Sequence, residues 1–177
     1  MASVITATTS SGLVSSADNS GVLQLASGTG NLVTVPSVTG TAMVSGNMPA
    51  FSAYRSGSDQ TISNATNTKV QVNTESFDTN NCFDSSTNYR FTPTVAGYYF
   101  FVGTGIFGQG LNSVQCYIYK NGSVALVNAV QNQASGSGNV SLSVSGLLYM
   151  NGTTDYAEFY VYQSSGVNLT LYAGRSI

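Results

Sequence analysis

The chain has 177 residues, a formal net charge of −2 and only 7% charged residues, where soluble proteins average about 25%. Its five lysines and arginines are scattered, so the sequence lacks the clustered basic surface that nucleic-acid binding requires. There is no histidine, which excludes mechanisms that use imidazole as a base or as a metal ligand. The length suits one domain with an extension.

The first residues, 1–6, show neither the basic nor the apolar region of a secretory signal, and no apolar run is long enough to span a membrane. We therefore expect synthesis in a cytoplasm, with no membrane partner.

Residues 1–46 differ in composition from the rest of the chain. They carry one charge, Asp18, no aromatic residue, and short apolar pairs separated by glycines. Such a segment is either a flexible linker or an arm of short strands that orders on a partner, and the recurring valines and leucines favour the arm. We predict that the arm attaches the protein to its partner through its apolar residues. These are Leu13, Val14, Val22, Leu23, Leu25, Leu32, Val33 and Val35.

Residues 47–177 are predicted to form one globular all-β domain, because short apolar runs alternate with turn residues and no helical periodicity is sustained. The Asn-Gly pairs at 121–122 and 151–152 are strong hairpin signals. Strands this numerous predict a sandwich or jelly roll. The predicted strands are 50–54, 70–73, 88–91, 98–107, 114–120, 124–131, 140–149, 155–163 and 167–172.

Several of these strands carry large aromatic residues that one protomer cannot bury together. The strand 98–107 has apolar side chains on both faces, and strand 155–163 has tyrosines opposite its apolar face. Exposed tyrosines are tolerated on sheets, but a large aromatic patch is more typical of a subunit interface. The predicted interface residues are Tyr98, Tyr99, Phe101, Phe107, Tyr117, Tyr119, Tyr156, Tyr160 and Tyr162.

The sequence contains little that indicates catalysis or metal binding. Glu75 with Asp78 or Asp84 is the only carboxylate pairing considered for glycoside hydrolysis, and solvated turns explain these residues better. The segment 78–84 is rich in oxygen ligands, but it does not match an EF-hand and is better explained as an Asx-turn loop. We predict no catalytic residue, no metal site and no cofactor.

The two cysteines allow one disulfide at most. Cys116 shares a strand face with apolar residues, which favours a buried, reduced thiol over a bond to Cys82.

Three motifs in the globular domain at residues 47–177, which we call the head, resemble those of a known family. They are Pro-Ala-Phe-Ser-Ala at 49–53, Phe-x-Pro followed by Gly-Tyr-Tyr-Phe within 91–100, and Lys-Asn-Gly at 120–122. Residues 48–172 thereby resemble the globular head of the complement and tumour-necrosis-factor superfamily. The resemblance implies a jelly roll that assembles as a tight homotrimer, in a family of which some members hold calcium near the trimer apex.

Residues 1–46 lack the collagen repeat of the secreted members of that superfamily. Their Gly, Ser and Thr content instead resembles bacteriophage fibre and decoration proteins.

The resulting expectation is a non-enzymatic virion protein, made in the host cytoplasm and carried on the exterior of the particle. The first hypothesis is a homotrimeric capsid decoration or cement protein that binds the major capsid protein, or another virion protein, through residues 1–46. The alternative is the receptor-binding tip of a short tail or head fibre, with loops 56–68 and 131–139 contacting host glycans.

Overall fold

A computed structural model describes residues 23–27, 31–35, 48–108, 113–131 and 138–174, with backbone alone at 23–27, 31–35 and 129–131. The chain divides into two compact units, Met1–Ala42 and Met43–Ile177, and each is described by itself. No helix long and apolar enough to cross a membrane occurs among the described residues.

The first unit contains an antiparallel pair of strands, β1 (Leu23–Ser27) and β2 (Asn31–Val35). Their register sets Leu23 opposite Val35 and Leu25 opposite Val33. Directly opposed residues, and residues two apart, share one face of a β-ribbon, so these four predicted attachment residues are grouped. Leu32 falls on the other face. Leu13, Val14 and Val22 lie outside the described residues.

The second unit is built from strands alone among its described residues, which confirms the predicted all-β fold. The long strands form where apolar residues alternate, as sequence periodicity predicts. Their bounds are β3 (Ala50–Tyr54), β4 (Gln60–Ile62), β5 (Thr68–Lys69), β6 (Thr74–Thr79), β7 (Phe83–Asp84), β8 (Arg90–Phe91), β9 (Gly97–Phe107), β10 (Ser113–Lys120), β11 (Ser123–Gln131), β12 (Val140–Met150), β13 (Ala157–Gln163) and β14 (Leu169–Leu171).

Two sheets pack face to face. One has the order β11-β10-β13-β8-β7, with β5 also paired to β13, and the other has the order β12-β9-β14-β4. A separate pair joins β3 to β6. From β8 to β14 the chain crosses between the two larger sheets at every connection except the hairpin that joins β10 to β11. Repeated crossing between two packed sheets is typical of a jelly roll. The core between them includes Phe91, Phe107, Val114 and Val161.

The strand predictions between residues 55 and 85 are wrong in part. The strand predicted at 70–73 is displaced, since β5 ends at Lys69, although Val70 and Val72 are still buried. Strands β4, β6 and β7 were not predicted. The sequence did not indicate β6 because its side chains are mostly polar and exposed.

The two Asn-Gly pairs behave differently. At Asn121-Gly122 both residues have positive φ, and they close the tight hairpin between β10 and β11. Asn151-Gly152 instead carries the chain from β12 to β13, which belong to different sheets, so no hairpin forms there. The Asn151 side-chain oxygen accepts the backbone N–H groups of residues 153–155 and thereby organises the turn.

Candidate functional site

The outer surface of β9 and β12 is apolar. Alternation sends one set of β9 side chains into the core and the other set outward, where β12 continues the surface in register. We call this surface the apolar face. Its large exposed members, with their exposed fractions, are Tyr98 (76%), Phe100 (66%), Val102 (52%), Leu147 (63%) and Tyr149 (49%).

Two close contacts between the sheets decide which set points inward. A Cβ at Gly103 would lie 2.6 Å from the ring of Phe159, and a Cβ at Gly146 would lie 2.8 Å from Leu126. The sheets therefore approach most closely where β9 and β12 have no side chain. Phe100 and Val102, which alternate with Gly103, are consequently directed away from the core.

Three of the predicted interface residues belong to the inward set. Phe101 and Phe107 are 6% and 0% exposed in the protomer's own core, so assigning them to a subunit interface was wrong. Tyr99 is half-buried against the same core, and its hydroxyl donates to the carbonyl of Val95 at 2.6 Å. The alternation of residues along β9 could not by itself show which set faces the core. Gly103 and Gly105, which lie on the same face as Phe101 and Phe107, were a sequence signal that another sheet packs closely against that face.

The sequence prediction named only Tyr98 on the apolar face. It missed Phe100, Val102, Leu147 and Tyr149, of which Leu147 and Tyr149 lie directly opposite Phe100 and Tyr98. The paired rings of Tyr98 and Tyr149 meet edge to face at 5.4 Å. The apolar face is thus a continuous two-strand surface.

The remaining predicted tyrosines lie on the other sheet. Tyr117, Tyr119, Tyr160 and Tyr162 project outward from β10 and β13, since the residues alternating with them are buried. We call these four the tyrosine cluster. Tyr119 and Tyr160 stack with ring centroids 4.2 Å apart, and Tyr117 meets Tyr119 edge to face at 5.9 Å.

Polar groups surround the tyrosine cluster. Asn67 donates its amide N–H to the Tyr119 hydroxyl at 2.9 Å, and Lys69 lies 5.8 Å from the centroid of the Tyr160 ring. Burial raises the pKa of both Tyr117 and Tyr160. Lys69 is itself paired with the buried carboxylate of Glu158 at 2.5 Å, so the nearest charges compensate each other.

Tyr156 stands apart from the cluster, with the Arg90 guanidinium 4.5 Å from its ring centroid. The predicted interface residues are therefore divided between the core and the outer faces of two opposed sheets. One contiguous interface cannot contain them all.

Of the acidic residues considered for catalysis or calcium binding, Glu75 is exposed in β6, whereas Asp78 and Asp84 organise turns. Asp78 accepts the backbone N–H groups of Cys82 and Phe83, four and five residues on. The Asx-turn that the sequence favoured in this segment forms at Asp84, which accepts the N–H of Ser86 two residues on. Asp84 also accepts the N–H of Thr87, which is the largest cause holding its pKa well below the usual range. No group of three potential metal-ligating side chains is found in the part of the chain that the structure describes.

A second acidic network lies where β12 leads into β13. Asp155 pairs with Lys120 at 2.8 Å and accepts the side-chain amide of Asn121 at 2.7 Å. The Lys120 hydrogen bond is the largest cause of the lowered Asp155 pKa. This network ties the β10–β11 hairpin to β13.

The two cysteines are both free and buried. Cys116 is fully enclosed, as the sequence favoured, and burial raises the pKa of its thiol to about 12.

Comparison with solved structures adds a likeness in fold. No protein-family model matches the chain, and no curated protein matches it. Among solved structures, the chain is similar to the globular domain of zebrafish complement 1qA protein, with 23% sequence identity and a TM-score of 0.43. The match covers 72% of this chain and 100% of that one.

Proposed function

We propose that the chain is a non-enzymatic structural protein of a bacteriophage virion, a homotrimeric decoration or cement protein held to the capsid by its N-terminal arm. The observation that carries the proposal is the apolar face. Five large side chains are about half exposed or more on two adjacent strands, with no charged residue among them. Soluble monomers rarely leave so large a contiguous apolar patch in water.

Assembly through the apolar face explains this patch. Burying one large apolar side chain contributes about 1.5–3 kcal/mol, so five of them on each chain provide a substantial drive for association. Aromatic residues are also enriched in such interfaces. The motifs of residues 48–172 resemble those of the complement and tumour-necrosis-factor superfamily, and this resemblance implies a trimer rather than a dimer.

Attachment is assigned to residues 1–46. A two-stranded ribbon such as β1–β2 is marginal by itself, and Leu23, Leu25, Val33 and Val35 share one of its faces. Such a ribbon gains stability by laying that face on a partner. A shell of repeated capsid subunits offers a recurring surface of this kind.

Deletion of residues 1–46 tests the arm. We expect the shortened chain to remain a folded trimer and to lose binding to purified particles. If the shortened chain still decorated the particles, the arm would not be the anchor.

A second candidate, the receptor-binding tip of a short fibre, is favoured by the tyrosine cluster. Stacked tyrosines ringed by an amide and a compensated ion pair form an uncharged, amphipathic surface of the kind a neutral glycan would suit. Copy number distinguishes the two roles. Quantification against the major capsid protein in purified virions would give hundreds of copies for a cement protein and a few tens for a fibre, whereas none would contradict both.

A further inference from the structure

Arg90 differs in its contacts from the other basic residues that the structure describes. Arg55 donates to backbone carbonyls, and Lys69 and Lys120 form ion pairs. Within the described part of the chain, Arg90 has neither a hydrogen bond nor an ion pair, and its guanidinium lies 4.5 Å from the centroid of the Tyr156 ring. The guanidinium N–H donors are therefore available to a ligand.

The two carboxylates that flank Arg90 have other partners. Strand register places Glu158 opposite Arg90 on one side and Asp84 opposite it on the other. Glu158 is buried and pairs with Lys69 at 2.5 Å. Asp84 accepts the backbone N–H groups of residues 86–88, which close its turn. Neither carboxylate forms an ion pair with Arg90.

The segment that leads into Arg90 is held in place by several contacts. Asn88 donates both its backbone N–H and its side-chain amide to Asp84, and its carbonyl accepts from Lys69 at 3.2 Å. The next residue, Tyr89, has a φ of +50°, a left-handed conformation that is uncommon for a bulky residue. Such strain persists only where surrounding contacts impose it, and it is concentrated at functional sites.

The ring beneath the guanidinium is fixed as well. The Tyr156 N–H donates to the Asn121 side-chain oxygen at 2.9 Å, and the Tyr156 carbonyl accepts the Asn121 N–H at 3.1 Å. A planar guanidinium held against an aromatic ring is preorganised to bind a carboxylate through two parallel hydrogen bonds. With Asp84 on the neighbouring strand, a singly charged carboxylate suits this position better than a phosphate.

The tyrosine cluster indicates what carries the carboxylate. Tyr119 lies opposite Glu158, which lies opposite Arg90, so the three residues form one row across β10, β13 and β8. Neighbouring strands are about 4.8 Å apart, which places the backbone of Arg90 about 10 Å from that of Tyr119. Stacked rings and the Asn67 amide suit the neutral sugars of an oligosaccharide. An acidic protein segment would bring several charges to a surface with one available cation.

We propose that Arg90, held against Tyr156, binds the carboxylate of a hexuronate, a six-carbon sugar acid, in an acidic oligosaccharide. The neutral sugars of the same oligosaccharide lie on the tyrosine cluster. This inference deepens the receptor-binding candidate and rests on it for its role on the particle. It does not depend on attachment through residues 1–46.

Isothermal titration calorimetry with the full chain tests the site. The probes are trigalacturonate and a hyaluronan tetrasaccharide, which present two common hexuronates, together with their uncharged methyl esters. The variants are Arg90→Gln, Arg90→Lys and the control Arg55→Gln, which removes the same charge elsewhere. We expect the wild type and Arg55→Gln to bind at least one acidic probe, and Arg90→Gln to bind it more weakly by roughly tenfold or more. Arg90→Lys should also lose affinity, because lysine lacks the planar fork.

Circular dichroism checks that each variant is folded. Failure of the wild type to bind either acidic probe would overturn the proposal, and so would equal binding of a methyl ester or an unchanged affinity in Arg90→Gln. Tighter binding of triglutamate than of both acidic sugars would overturn it too, and would assign the site to an acidic protein. Copy number is measured separately on virions, so failure of this site and failure of the proposed function can be distinguished.

Discussion

Phe100→Asp is the sharpest test of assembly through the apolar face. Phe100 is 66% exposed in the protomer and lies directly opposite Leu147, near the middle of the face. In the proposed trimer the substitution removes about 1.5–3 kcal/mol of apolar burial per chain and adds an unpaired buried charge that costs about 3–5 kcal/mol. Even 4 kcal/mol per chain weakens each contact by roughly three orders of magnitude.

In the separated protomer the same aspartate is solvated, so the head should stay folded. The neighbouring Tyr99 is not a suitable position, since it packs against the core and a charge there would perturb the fold itself. Val127→Asp is the matched control, because Val127 is 54% exposed on β11 of the other sheet.

Light scattering coupled to size-exclusion chromatography checks the prediction, with circular dichroism to confirm folding. The wild type and Val127→Asp should have three times the 18.4 kDa mass of one chain, and Phe100→Asp should have the mass of one. A monomeric wild type would refute the interface. Dissociation of Val127→Asp with an intact Phe100→Asp trimer would move the interface to the sheet that bears the tyrosine cluster.

Three further predictions concern the head. In a denaturant titration, Gly152→Ala should lower the unfolding free energy by about 2–5 kcal/mol, because φ is +73° and the new Cβ would lie 2.3 Å from the backbone nitrogen of Ala96. Gly166→Ala is the control, because Gly166 has a φ of +88° with open space around it, and it should cost only the φ strain of about 1–2 kcal/mol. The lowered pKa of Asp84 means that its stabilisation is complete above the ordinary value of 3.8 and is lost as pH falls below it, so melting temperature should drop there, with a shallower drop in Asp84→Asn. Native alkylation of Cys116 at pH 8, followed by peptide mass spectrometry, should be slower than in denaturant by roughly a thousandfold or more, because burial raises its thiol pKa to about 12; equal rates would contradict that burial.

Local pattern was sufficient for much of the fold. The apolar alternation of 98–107 and 140–149 predicted the two longest strands nearly to their ends, and Asn121-Gly122 predicted a tight hairpin that the structure confirms. Cys116 could be predicted as buried because its strand neighbours Val114 and Ile118 are apolar. These properties depend on residues close in sequence.

The candidate site was harder to predict because its parts are distant in sequence. Alternation along β9 separates Phe100 from Phe101, but it does not say which of them meets the second sheet. Contacts of Gly103 with Phe159 and of Gly146 with Leu126 make that choice. The tyrosines were likewise grouped by composition, and sheet order then placed Tyr98 on one sheet and Tyr117 on the other.

The sequence by itself thus determined an all-β head, the positions of its long strands and its low charge, because each follows from the identity of neighbouring residues. Only the tertiary structure decided which aromatic residues are core and which form the apolar face. The physical reason is that a strand has two equivalent faces until a second sheet packs against one of them, and the glycines at 103 and 146 let that sheet approach from a single side.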